Sequence, residues 1–271
     1  MTWTRRRLAF RMGPRVDLPA PPAFFERSLQ VPLPDRLSGA RVLGWFGDML
    51  TTDHISPAGE IAPDSAAGRY LGELGVSRDA FNAFTMRRGN HAVMLRGTFA
   101  NSRLHNRLAP DAPPGHTRHW PDGVLLPMHE AAERYRTEGV PLVVIGGATT
   151  AWARAVTGPP RVRDYLACAR YWRPPSNASI APTSSRWASC PLLRVRRKRR
   201  DLGLHADVSL EISAWSAGVR SRPVEVEARV PSRTPIRFQV RAAVLADTEA
   251  ALLEGGGMFA RVLATRIAGA G

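Results

Sequence analysis

Side chains able to grip or polarise a small anion gather in two short stretches. The first, GDMLTTDHISPAGEI at residues 47–61, carries Asp53 and His54 behind two threonines and ends on Ser56-Pro57. The second, RRGNHAVMLRGTFAN at residues 87–101, carries Arg87, Arg88, His91 and Arg96 among Gly89, Asn90, Gly97 and Thr98. Glycines and short polar residues at this density suit turns at a site better than a buried element. An acid, an imidazole and several guanidinium groups suit a small polycarboxylate, because arginine grips a carboxylate through two parallel hydrogen bonds.

Composition narrows the classes. At 271 residues and 44% apolar content the chain can build a sizeable core. No run of 18 or more apolar residues is present, so no membrane-spanning helix is expected. The arginine-bearing N-terminus lacks a long apolar stretch ahead of a cleavage site, which argues against secretion and for a cytoplasmic address. Two cysteines, Cys168 and Cys190, make neither a disulfide framework nor a metal cluster.

The net charge of +15 is unevenly placed. Residues 1–16 hold five arginines and no acid, and residues 149–200 hold twelve Lys/Arg against one Asp, which leaves −1 for everything else. Arg5-Arg6-Arg7 and RVRRKRR at residues 194–200 are the only footing for a nucleic-acid-binding alternative.

The elements that must position the two stretches can be read in order. Residues 1–20 read as a disordered tail. RVLGWF, residues 41–46, is a strand that delivers the Asp53-His54 loop. A short helix is expected over residues 65–74, closed by Gly75, and another helical turn over 79–84. MHEAAERYRT, residues 128–137, is amphipathic, with Met128, Ala131, Ala132 and Tyr135 on one face and Gly139 as the stop. A buried strand, VPLVVI at 140–145, follows and ends on Gly146-Gly147. Residues 149–200 show no periodicity. Beyond them VSLEI, RPVEVEARV and PIRFQVRAAV alternate as strands, and residues 247–267 carry helix-like spacing. The fold class is α/β with an irregular or disordered middle segment.

Gly47-Asp48, Thr51 through Gly59 (TTDHISPAG), Arg87-Arg88-Gly89-Asn90-His91 and Arg96 through Asn101 (RGTFAN) together resemble the C-terminal swivel domain of the aconitase family, from about Pro21 to Gly147. The resemblance implies a swivelling β/β/α domain built from residues 21–148 and 201–271, interrupted by 149–200. It implies dehydration–rehydration of a tricarboxylate (citrate, isocitrate or 2-methylisocitrate) at a [4Fe–4S] cluster held in a missing domain or a partner chain. It makes Asp53 a catalytic-site residue that orients the chemistry, and Arg96 the substrate-carboxylate arginine. His54, Arg87, Arg88 and His91 are lesser candidates. The family's Ser-Ser-Arg, in which a serine serves as base, would fall at Arg154-Ala155-Val156, where alanine and valine can neither move a proton nor pair with a carboxylate.

The genetic code offers an account of that departure. If the third base of each codon joins the first two of the next, residues 148–162 (ATTAWARAVTGPPRV) permit Asp-Tyr-Gly-Met-Gly-Ser-Ser-Arg-Asp-Trp-Ala-Ala-Lys-Gly, a family-like string. Residues 149–193 are therefore expected to be a frame-shifted reading of an aconitase-like segment, with the original frame regained before Asp201. The chain reads as a swivel-domain fragment inactive alone. The alternatives are the small subunit of a split hydro-lyase completed by a cluster-binding chain, and a basic nucleic-acid-binding protein.

Overall fold

A computed structural model describes residues 36–47, 50, 54, 57–88, 90–147, 164–169, 192–195, 206–213, 223–242, 247 and 251. The backbone of nine strands and three α-helices falls within these residues. The expected tail at 1–20, Asp53 and nearly all of the helix expected at 247–267 lie outside them.

Seven strands close into a barrel in the order β1 (Leu37–Trp45), β4 (Leu142–Gly147), β5 (Asp164–Ala169), β6 (Leu192–Val195), β9 (Ile236–Ala242), β8 (Pro223–Arg229) and β7 (Ser209–Ile212). β1 and β4 run parallel, with Arg41 opposite Leu142, and every other neighbouring pair is antiparallel. A parallel pair needs a long crossover. Here the crossover holds α1 (Ala66–Glu73), α2 (His91–Gly97), the hairpin β2 (His116–Arg118) and β3 (Leu125–Pro127), and α3 (Met128–Thr137).

The side-chain period of a strand sorts three cores. In β4, Val143 and Ile145 face the barrel interior with Val42, Leu210, Val226 and Val240. Leu142 and Val144 face outward onto Met128, Ala131 and Tyr135 of α3. β4 is thus buried on both sides, which explains its continuous apolar run. A third core, Ile61, Leu71, Phe81, Phe84, Val93 and Met94, binds α1 to α2. Burying each large side chain of this kind contributes about 1.5–3 kcal/mol.

Several expectations hold at residue level. Ser65 caps α1 by accepting from Gly68 N at 3.0 Å, and Gly75 takes φ +76° just past the helix. Gly139 likewise takes φ +71° after α3. The turn expected over 79–84 resolves into two 3-10 helices, Arg78–Ala80 and Phe84–Arg87.

Two findings revise the local reading. The stretch at 87–101 is not all turn, since residues His91–Gly97 are α-helical and bury Val93 and Met94. Asn90 starts this helix, its Oδ1 accepting from Ala92 N at 3.1 Å and Val93 N at 3.2 Å. Within residues 149–200, β5 and β6 occupy two places in the barrel, and the remainder of that segment lies outside the described residues. Strand pairing uses backbone groups that every non-proline residue carries, so a ladder can form where side-chain periodicity gives no signal.

Candidate carboxylate-binding site

The two chemistry-bearing stretches meet. The carbonyl of His54 accepts from the backbone N–H of Phe99 at 2.8 Å, and Phe84 N donates to Gly59 O at 2.9 Å. Ile61 N bonds Asn82 O at 3.2 Å, so Gly59 and Ile61 lie beside the 3-10 segments and His54 beside the C-terminal end of α2. Gly97 is required at the junction. A Cβ there would run into the Phe84 ring and sit 2.7 Å from Pro57 Cγ. Asp53 itself lies outside the described residues, as does the side chain of His91, whose backbone opens α2; His54 is half-buried.

The arginines divide by what they touch. Arg87 is turned inward, 8% exposed, with Nε donating to Phe81 O at 3.2 Å and Nη2 to Ala80 O at 2.6 Å. Arg96 places Nη1 on the carbonyl of Ala92, one turn back in its own helix, at 3.0 Å. Its guanidinium lies over the Tyr70 ring with Cζ 4.0 Å from the centroid, a cation–π contact of about 0.5–2 kcal/mol. Burial pulls the Arg96 pKa down, and Tyr70, Glu73 and Glu130 oppose that pull.

Arg88 differs from both. It caps the 3-10 helix Phe84–Arg87, and its Nε is buried without a hydrogen-bond partner. A buried donor left unbonded costs about 1–3 kcal/mol, more for a charged group. An acceptor arriving at that nitrogen would recover this cost. A carboxylate fits, because Nε and a terminal nitrogen of the same guanidinium can hold both of its oxygens.

His129, on the first turn of α3, went unnoticed as a sequence feature. Burial, helped by Arg96, Arg69 and His116, lowers its pKa to about 4, so it is neutral at pH 7. Its only sequence signal is a histidine in the first turn of an amphipathic helix.

A cluster cofactor does not fit this chain's own residues. Thiolate clusters are held by several cysteines, whereas only two exist here, Cys168 in β5 and Cys190 outside the described residues. Among the described residues no group of three or more His, Cys, Asp or Glu could hold a metal ion. No described helix is long and apolar enough to cross a membrane.

Residues 67–150 match the Aconitase C-terminal domain family. Over this region the chain is similar to the aconitase C-terminal domain. Aconitate hydratase A of Escherichia coli K12 is 52% identical over 125 residues, covering 46% of this chain and 14% of that protein. Aconitate hydratase A of Bacillus subtilis is 49% identical over 127 residues, 47% of this chain and 14% of that protein. The enzyme of the same name from Salmonella typhimurium is 50% identical over 125 residues, 46% of this chain and 14% of that protein. The aligned stretch thus spans about one seventh of these aconitase relatives.

Proposed function

We propose that the chain is a carboxylate-binding domain of an aconitase-type hydro-lyase, acting on a tricarboxylate of the citrate, isocitrate or 2-methylisocitrate kind, and inactive alone. The observation that carries the reading is the buried, unpartnered Nε of Arg88, in a region about half identical to aconitate hydratases. Of the candidate arginines, Arg88 is the better grip. Arg96 already lies on Tyr70 and bonds its own helix. Asp53, one residue before the His54–Phe99 hydrogen bond, is the group proposed to orient the substrate beside it.

Two absences from the sequence support inactivity. Arg154-Ala155-Val156 stand where the resemblance expects Ser-Ser-Arg, so the proton-moving serine is missing. The two cysteines are too few for the cluster whose Lewis acidity would activate the leaving hydroxyl. The domain is taken to comprise residues 21–148 and 201–271, with 149–193 a shifted reading frame. Genomic sequence tests this directly: codons at 148–162 incompatible with the regrouped string overturn it.

The purified chain is expected to give no turnover of citrate or isocitrate, and measurable turnover would refute inactivity. A second reading is the small subunit of a split hydro-lyase, completed by a separate cluster-binding chain. Activity restored by a co-purifying, cluster-bearing chain would select that reading.

A further inference from the structure

Arg87 and Arg88 are neighbours with opposite surroundings. The Arg87 guanidinium is buried under the 3-10 turn Arg78–Ala80, on the carbonyls of Ala80 and Phe81. Its own carbonyl accepts from Asn90 N at 2.8 Å, and Asn90 in turn caps α2. Arg88 therefore follows one fastened residue, Arg87, and precedes another, Asn90, in the chain. An unbonded buried Nε–H would be free to swing to water if the turn could relax, since arginine has many rotamers. Only a rigid bracket keeps it in place.

We infer that Arg87 is a positioning residue: its inward fork on Ala80 and Phe81 holds the turn that presents Arg88 to a substrate carboxylate. This rests on the reading of Arg88 as the carboxylate-gripping group. A carboxylate would meet a donor already aimed and already desolvated, so little ordering remains to be done on binding. Lysine at position 87 keeps the charge, but its compact ammonium lacks the planar fork whose Nε and Nη2 reach the two carbonyls separately.

The test uses the full chain and the Nε–H proton signal of Arg88, assigned by its loss in Arg88→Lys. In the wild type this proton is expected to exchange with solvent at least tenfold more slowly than that of exposed Arg78. Arg87→Lys and Arg87→Gln should remove that protection while the barrel amides of Val143 and Leu210 keep theirs. Titration with tricarballylate, a non-reacting tricarboxylate, should move the Arg88 signal, and Arg87→Lys should weaken its binding at least fivefold at a temperature where the barrel amides of that variant stay protected. Wild-type protection and affinity in both Arg87 variants would overturn the inference. So would barrel amides that lose protection together with Arg88, which would make Arg87 a general stabiliser. If tricarballylate leaves the wild-type signal unmoved, the carboxylate reading of Arg88 fails. The Arg87–Arg88 coupling would still be judged by exchange.

Discussion

The carbonyl of His54 accepts a hydrogen bond from the backbone N–H of Phe99 at 2.8 Å, tying together two residues more than forty positions apart in the chain. The contact joins the segment that follows Asp53 to the end of the helix that carries Arg96. Phe99 also stacks on Phe46, ring centroids 4.8 Å apart, at the end of β1. The site is thereby anchored to the barrel through one aromatic pair.

Gly97 makes this junction possible, so Gly97→Ala is expected to destabilise the fold by about 1–3 kcal/mol, the usual cost of overpacking. The added methyl would meet the Phe84 ring and Pro57. Urea denaturation checks it; a change below about 0.5 kcal/mol would mean that the loop at residue 57 yields freely.

Arg88→Gln is expected to weaken tricarballylate binding at least tenfold, whereas Arg96→Gln should change it less than threefold and act mainly on stability. Arg96→Gln gives up the Tyr70 ring contact and the bond to Ala92 O. Isothermal titration of both variants decides between the two arginines, and the reverse ranking would return the grip to Arg96.

His119 is 1% exposed, with Nδ1 2.7 Å from Asp122 Oδ1 and Nε2 3.2 Å from Glu138 Oε2. Arg134 joins the same two carboxylates, through Nη2 to Asp122 Oδ2 at 2.6 Å and Nε to Glu138 Oε1 at 3.2 Å. The Asp122 carboxyl is held below its ordinary range, chiefly by its hydrogen bond to His119. His119→Ala also empties the space against Tyr135, whose ring centroid is 4.2 Å away. A loss of about 2–3 kcal/mol is expected in thermal or urea unfolding.

His129 gives the stability a defined pH slope. Its folded pKa of about 4 lies below the ordinary 6.5, so the unfolded chain binds more protons between those values. Stability should therefore fall as pH drops from about 6.5 towards 4, by on the order of 2 kcal/mol from this group. His129→Gln should flatten that part of the curve. An unchanged slope in the variant would assign the acid sensitivity to other groups.

Legibility in the sequence follows physical locality. Ser65 with Gly75, and the Met128–Ala131–Ala132–Tyr135 face closed by Gly139, were readable because caps and periodicity act within a few residues. The helix at 91–97 was obscured by its glycines and charges, although Asn90 ahead of Ala-Val-Met-Leu was a usable capping signal. The hairpin β2–β3 was missed too, although Pro121-Asp122-Gly123 marks a turn between its short strands. The join between the two site stretches was implied only by the family resemblance. The buried Nε of Arg88 was not legible at all, because it depends on how distant segments pack.

The barrel's strand order has a consequence for biosynthesis. Its ring closes only when β9, ending at Ala242, pairs with β6, and when β7 reaches back to Leu37 of β1. The helical crossover between β1 and β4 is complete by Gly147. At roughly 5–20 residues per second, a ribosome needs about 5–20 s to travel from there to the last barrel strand. During that interval the β4 edge stands open until β5 emerges and the β1 edge until β7 does, which makes this window the time when a chaperone would be of most use.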